Sequence, residues 1–175
     1  MTSGKVAALS WRAVKCVERI RGYKMFAMKV RTLDPKQDMV EWLRLRRGLF
    51  DDSTEAEHQQ EMAGILAEPD GCVLVAERPS STQLAGYLHV GSRKYAEGCN
   101  SSPVAYMEEW FVDADVRRQG VGRALVAAGE AWAKQNGYIE LASDTVIDND
   151  VSLASHLALG FREVERQINF IKKLG

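Results

Sequence analysis

Two short stretches of this 175-residue sequence carry side chains suited to chemistry. The first is Arg117-Arg118-Gln119-Gly120-Val121-Gly122-Arg123. Glycines in a turn let the backbone come close to a bound group. The unpaired N–H groups of a helix's first turn then favour negative charge. Three arginines add positive charge suited to phosphate. The stretch reads as a seat for a pyrophosphate. The second is Glu108-Glu109, flanked by Tyr106, Met107, Trp110, Phe111 and Val112. Side chains alternate across a strand, so the two glutamates are expected on opposite faces. An unpaired carboxylate in an apolar layer is costly, so at least one should meet a polar cleft or a partner such as an arginine.

The elements around these residues follow from periodicity and punctuation. An apolar, strand-like run at 104–112 leads into the arginine-glycine turn, and a helix-like run at 121–135 leads out to Asn136-Gly137, a stop signal. Upstream, residues 25–33 read as a first strand, and Asp34-Pro35 as a capped helix start. A second helix spans about 54–67. Residues 72–77 and 84–91 form two strands joined by a turn-rich segment, an expected antiparallel hairpin. Downstream come a short strand at 138–142, a helix at 148–159 capped by Asp148 or Asn149, and a last strand at about 161–171. A strand meander followed by strand–helix–strand makes a mixed α/β sheet with one parallel pair. Ligands in such sheets favour the carboxyl ends of strands, where the arginine-glycine turn lies.

Composition excludes several classes. The chain is 46% hydrophobic and 27% charged, as in a soluble globular protein, and no apolar run nears membrane-spanning length. Cys16, Cys72 and Cys99 have neither disulfide-framework nor zinc spacing, so no metal and a cytoplasmic setting are expected. Residues 1–24 hold six basic groups against Glu18 alone, which leaves a net charge of −6 on the rest. The reading is a basic, flexible N-terminal extension over 1–24 and one domain over 25–175. Neither nucleic acid nor membrane is an expected partner. An acidic body attracts cationic ligands where its charge lines a cleft. The Walker phosphate pattern is absent, and the third glycine of a dinucleotide fingerprint is replaced by Leu125.

With its flanking strand and helix, and with Leu159-Gly160-Phe161 downstream, the Arg117–Gly122 stretch resembles the coenzyme A motif of the GNAT N-acetyltransferases. A narrower resemblance runs through Tyr95, Ser101-Ser102-Pro103-Val104, Met107-Glu108, Ala142-Ser143-Asp144-Thr145, Asn149, the segment 156–161 and Glu163-Val164-Glu165-Arg166. In order and spacing these pieces are similar to the aminoglycoside 6'-N-acetyltransferases. The resemblance implies the GNAT fold, an α/β (α+β) architecture. Its sheet is mixed, mostly antiparallel, with a central parallel strand pair splayed around acetyl-CoA and helices on the flanks. It implies acetyl-CoA as co-substrate, an aminoglycoside as acceptor and a homodimer as the assembly.

Residue by residue, the resemblance places the coenzyme at Trp110, Phe111, Val112, Arg117, Arg118, Gln119, Gly120, Val121, Gly122, Arg123 and Asn149. It places the acceptor at Tyr95, Glu108, Asp144 and Glu165, with Phe50 where relatives often carry tryptophan. His156 stands where many GNAT enzymes carry the tyrosine assigned as acid toward the leaving thiolate; a packed histidine is the other reading. The chemistry needs a carboxylate. An ammonium with a lysine-like pKa near 10.4 offers only about one free amine in 10³ at pH 7, a deficit of roughly 4–5 kcal/mol. A carboxylate binds that ammonium and, directly or through water, takes its proton as the amine attacks the thioester. Glu108 and Asp144 both qualify as base. Two other readings stay open: a GNAT enzyme for another amine (polyamine, lysine or protein N-terminus), and a non-catalytic coenzyme A-binding regulator.

Overall fold

A computed structural model describes residues 28–79 and 81–175. The basic extension 1–24 and the start of the expected first strand lie outside the described residues. Five strands form one sheet in the order β1 (Val30–Thr32), β2 (Cys72–Glu77), β3 (Leu84–Arg93), β4 (Val104–Val112), β5 (Leu141–Ser143). The first three neighbouring pairs are antiparallel, and β4 with β5 is parallel. One face carries α1 (Met39–Leu49) and α2 (Glu55–Ala67), with Trp42, Leu45 and Met62 packed on Val73, Val75 and Tyr87. The other carries α3 (Val121–Gln135), whose Val121, Leu125 and Val126 pack on Leu74, Leu88 and Met107. Late in the chain, α4 (Asp150–Ala158) leads to Phe161 at the edge of that second core.

Local chemistry explains most boundaries. Thr54 and Glu57 close a reciprocal capping box at the start of α2. Asn149 caps α4, accepting from the Ser152 N–H at 3.0 Å. Asp34 does not open the first helix as expected. Its carboxylate turns on the Lys36 N–H and Gln37 side chain, and α1 begins only after Asp38. Asp38 is buried on Arg31 and the Asp34 N–H, and the Arg31 guanidinium holds its carboxyl below the ordinary range.

Two further expectations change. The strand placed at 138–142 is β5, shifted to Leu141–Ser143. The last strand expected from 161 does not form among the described residues: that segment has no ladder partner there, and Ile168, Phe170 and Ile171 are exposed. A strand forms only where a neighbour takes up its backbone groups. Among the described residues β5 pairs with β4 alone, so the parallel pair ends the strand order and its outer edge stays open. Beside that edge lies a cavity of about 390 Å³ lined in part by Tyr138, Leu141, Leu159, Phe161 and Val164.

Candidate active site

Strands β4 and β5 run side by side only from Ala105 to Met107. Beyond Met107 the side of β4 that faced β5 has no strand partner among the described residues, and the two strands part. The parting begins at an irregularity. On β3, His89 and Val90 are consecutive, but their partners on β4 are Glu109 and Met107, so Glu108 is the extra residue of a β-bulge. A bulge re-aims side chains next to it. Its effect here overturns strict alternation: Glu108 and Glu109 both lie on the α1/α2 face. Glu109 receives the Tyr87 hydroxyl at 2.9 Å and pairs with Arg46 of α1. Glu108 lies over Gly91, two residues beyond His89 on the same face, and pairs with Arg93.

These two carboxylates have different settings. Glu109 belongs to a buried polar knot in which Arg46, fully shielded from solvent, joins it to Glu61. Desolvation, and then the nearby Glu109 charge, push the Tyr87 phenol far above its usual range. Glu108 instead meets the Arg93 guanidinium through both oxygens, Nε at 2.8 Å, where β4 and β5 part. Arg93 also lies over the Tyr106 ring, 3.4 Å from its centroid. Its pairing with Glu108 raises the Arg93 pKa, and Asp144 adds to that. Burial, then the Asp144 charge, raises the Tyr106 phenol. Glu108, Arg93, Tyr106 and Asp144 thus converge on one spot, immediately past the end of β5.

The arginine-glycine turn stands at the other end of the split. Gly120 is the N-cap of α3 with φ +90°, a left-handed conformation that favours glycine, and nothing lies within 4 Å of where its Cβ would stand. Gly122 brings the helix onto the Trp110 indole, where a Cβ would come within 2.8 Å of the ring. The Ala124 N–H is the first to bond within the helix, to the Gly120 carbonyl, so the N–H groups before it are free of helical partners. Arg117 donates to the Val112 carbonyl at 3.0 Å and so ties the turn to the end of β4. Gln119 donates to the Asp115 carbonyl. Arg118 and Arg123 are exposed and, among the described residues, carry no ion pair. Asp113 and Asp115, the nearby acids, are taken by Arg44 and Arg78. The result is an open cradle with free donors and free positive charge, which fits a pyrophosphate.

The remaining expected residues are dispersed. His156 packs edge-on against Trp110 and Phe161. Its Nδ1 faces the Ser152 carbonyl at 2.8 Å and so carries the proton, which leaves Nε2 to accept from the Ser143 hydroxyl at 3.0 Å. Phe111 lies on the α1 side, against Gly48 and the first core. Phe50 ends α1 beneath the Arg46 guanidinium, Tyr95 is exposed in the loop after β3, and Glu165 is exposed in the C-terminal segment. That loop is pinned to β5 by Glu140, which accepts from the N–H groups of Asn100 and Ser101. Sequence reasoning missed Arg93 and Tyr106. Both sit on strands, but the ten-residue connection from β3 to β4 hides the register that brings them together.

Residues 36–161 match the acetyltransferase (GNAT) family. The chain belongs to the GNAT family of acetyltransferases. An aminoglycoside N(6')-acetyltransferase type 1 of Klebsiella aerogenes is 45% identical over 141 residues, which are 78% of this chain and 91% of that protein. Among solved structures, the apo aminoglycoside 6'-N-acetyltransferase AAC(6')-IG of Acinetobacter haemolyticus superposes with a TM-score of 0.77 at 36% identity, covering 85% of this chain and all of that one (100%). AAC(6')-Iy in complex with the bisubstrate analogue CoA-S-monomethyl-acetylneamine has a TM-score of 0.78 at 32% identity, covering 84% and 99% of the two chains. The split between β4 and β5, with a glycine cradle at one end and carboxylates at the other, is thus the cleft of a GNAT fold.

Proposed function

We propose that this chain transfers acetyl from acetyl-CoA directly to the 6'-amino group of aminoglycoside antibiotics. The observation that carries this reading is the 45% identity spanning 91% of the Klebsiella relative, an aminoglycoside 6'-N-acetyltransferase. The residues present fit the coenzyme: the cradle at Gly120 is open, the first-turn N–H groups of α3 are free, and Arg118 and Arg123 have no competing acid among the described residues. Acetyl-CoA supplies an acyl group already activated as a thioester. Val121, Gly122 and Arg123 would donate to its pyrophosphate from their backbone. Trp110 and Val112, on the stretch of β4 that has no strand partner on its β5 side among the described residues, would offer backbone groups to its arm. Asn149 and Gln119 complete that assignment.

On the acceptor side, Glu108 and Asp144 bind and orient the ammonium, and one of them takes its proton as the free amine forms. Tyr95, Phe50 and Glu165 would line the sugar. His156 is assigned as the acid toward the departing thiolate, a role it fills in its doubly protonated form, with a proton on Nε2 as well as Nδ1. No metal is required. Removing one ammonium from a polycationic drug removes a charge and a donor that its ribosomal RNA target reads, so the phenotype is resistance. We assign the enzyme to the cytoplasm. The exposed apolar residues Ile168, Phe170 and Ile171, together with the open edge of β5, support a homodimer in which the C-terminal segment contacts the second copy.

The test is a thiol-release assay with acetyl-CoA and a panel of amines. Turnover of kanamycin-type drugs, lost when the 6' position carries hydroxyl, is the expected result. Turnover of peptides or polyamines alone would replace the acceptor, and coenzyme binding without any turnover would remove the enzymatic reading.

A further inference from the structure

Strand β3 carries a side-chain-free position, Gly91, at the mouth of the acceptor site, and a second carboxylate leans over it. Glu68 is the first residue past α2, in extended conformation, with its backbone N–H on the Ile65 carbonyl. Its Oε2 lies 3.7 Å from where a Cβ on Gly91 would stand, and the Oε1 of Glu108 lies 3.9 Å from that same point. The two carboxylates therefore flank one bare glycine, close enough for two amino groups of one sugar to reach both. Gly71 makes room on the other side, since a Cβ there would come within 3.1 Å of the Glu68 carboxylate.

The two glutamates differ in what answers their charge. Glu108 is gripped by Arg93. Glu68 has no arginine or lysine among the described residues, and the last turn of α2 carries no basic residue to offset the negative end of the helix dipole. Asp70, two residues on, adds a further negative charge with no ion pair among the described residues. Beneath Glu68 lies His89, only 4% exposed, with neither ring nitrogen hydrogen-bonded and Nε2 3.4 Å from the Glu68 carboxylate. The unpartnered Nε2 of this buried imidazole faces the half-exposed Glu68 carboxylate from below. The arrangement leaves unanswered negative charge facing the cleft.

We infer that Glu68 is a further acceptor-binding residue, which takes a second ammonium group of an acceptor whose reacting amine lies at Glu108. The inference rests on the acceptor reading of Glu108 given above. It makes the enzyme a reader of paired amines, so that an acceptor with one amine at this end of the molecule loses a contact that a diamine keeps.

The experiment compares wild type, Glu68→Gln and Glu108→Gln on two aminoglycosides that share the 6'-amine and differ by one neighbouring amine replaced with hydroxyl. Half-saturation by acetyl-CoA, read on the same samples, reports that each variant is folded. For Glu68→Gln the KM of the diamine acceptor should rise roughly fivefold, the scale of one partly exposed ion pair. The same variant should share the wild-type KM for the analogue that lacks the second amine. An unchanged KM for the diamine, or an equal rise for both acceptors, overturns the proposal. Impairment of Glu108→Gln in the same series shows that the Glu108 reading stands whatever Glu68 does, and an unimpaired Glu108→Gln removes that reading and this inference with it.

Discussion

Gly122 faces Trp110 so closely that a Cβ on the glycine would stand 2.8 Å from Cζ2 of the indole. The contact fixes how the first turn of α3 sits against the stretch of β4 beyond β5, and so how the cradle is placed along the split. Gly122→Ala must push the helix or the indole aside. It should lower stability by about 1–3 kcal/mol, as overpacking does, and raise the KM for acetyl-CoA. Gly120→Ala tests a different cause, since that position is open but left-handed; it should cost about 1–2 kcal/mol through backbone strain. Thermal unfolding and coenzyme kinetics on both variants check the pair.

Arg118 and Arg123 have no carboxylate partner among the described residues, so their charge is free for a phosphate. Arg118→Ala and Arg123→Ala should each weaken coenzyme A binding roughly three- to tenfold at low salt, less at high salt because the lost interaction is screened. Calorimetric titration at two ionic strengths measures this.

Arg46 is the buried cation of the Glu61–Arg46–Glu109 knot. Arg46→Met leaves Glu109 in the core without its partner, and should cost about 3–5 kcal/mol in urea unfolding. Adding Glu109→Gln removes the orphaned charge, so the double variant should recover part of that loss. A loss that simply adds would mean the two residues are not coupled.

Glu108→Gln and Asp144→Asn separate binding from proton transfer. The variant that lacks the base should lose about 10²-fold or more in kcat. It should also lose the acid limb of its pH–rate profile. The other should act mainly on the KM of the acceptor. Steady-state kinetics between pH 5 and 9 distinguish them.

Asp38 links stability to acid. Its hydrogen bond with Arg31 holds the folded-state pKa below the unfolded value near 3.9. The pair therefore contributes its stabilisation above that value and loses it as pH falls through the folded pKa. Asp38→Asn should be less stable than wild type at pH 7, and the gap should narrow below about pH 4. Denaturant midpoints across that range decide it.

Much of this architecture is legible in the sequence. The run at 104–112 holds no glycine or proline and the helix at 121–135 is bracketed by glycines, so the sequence carries the bounds of β4 and α3. The glycine turn into α3 is legible because its signal is local. The bulge at Glu108 was not readable: Met107 and Trp110 share the α3 core, three residues apart, yet a strand whose flanks are apolar on both faces gives no pattern that would betray the slip. Arg93 was hidden for a related reason, since only the register of β3 on β4 sets it beside Glu108. The segment after Phe161 has the apolar composition of a strand, but composition cannot supply the neighbour that a strand requires.

The grip of Arg93 on Glu108 has a bearing on how any acceptor would enter. If Glu108 receives the substrate's ammonium as proposed, the place is already held by a cation of the protein's own. Arrival is then an exchange of one positive charge for another, and affinity reports a difference between two cations instead of a new attraction. A weakly charged amine competes poorly in such an exchange. A guest that brings several charges to Glu108, Asp144 and their surroundings competes well, so the resident arginine works as a threshold that favours polycations.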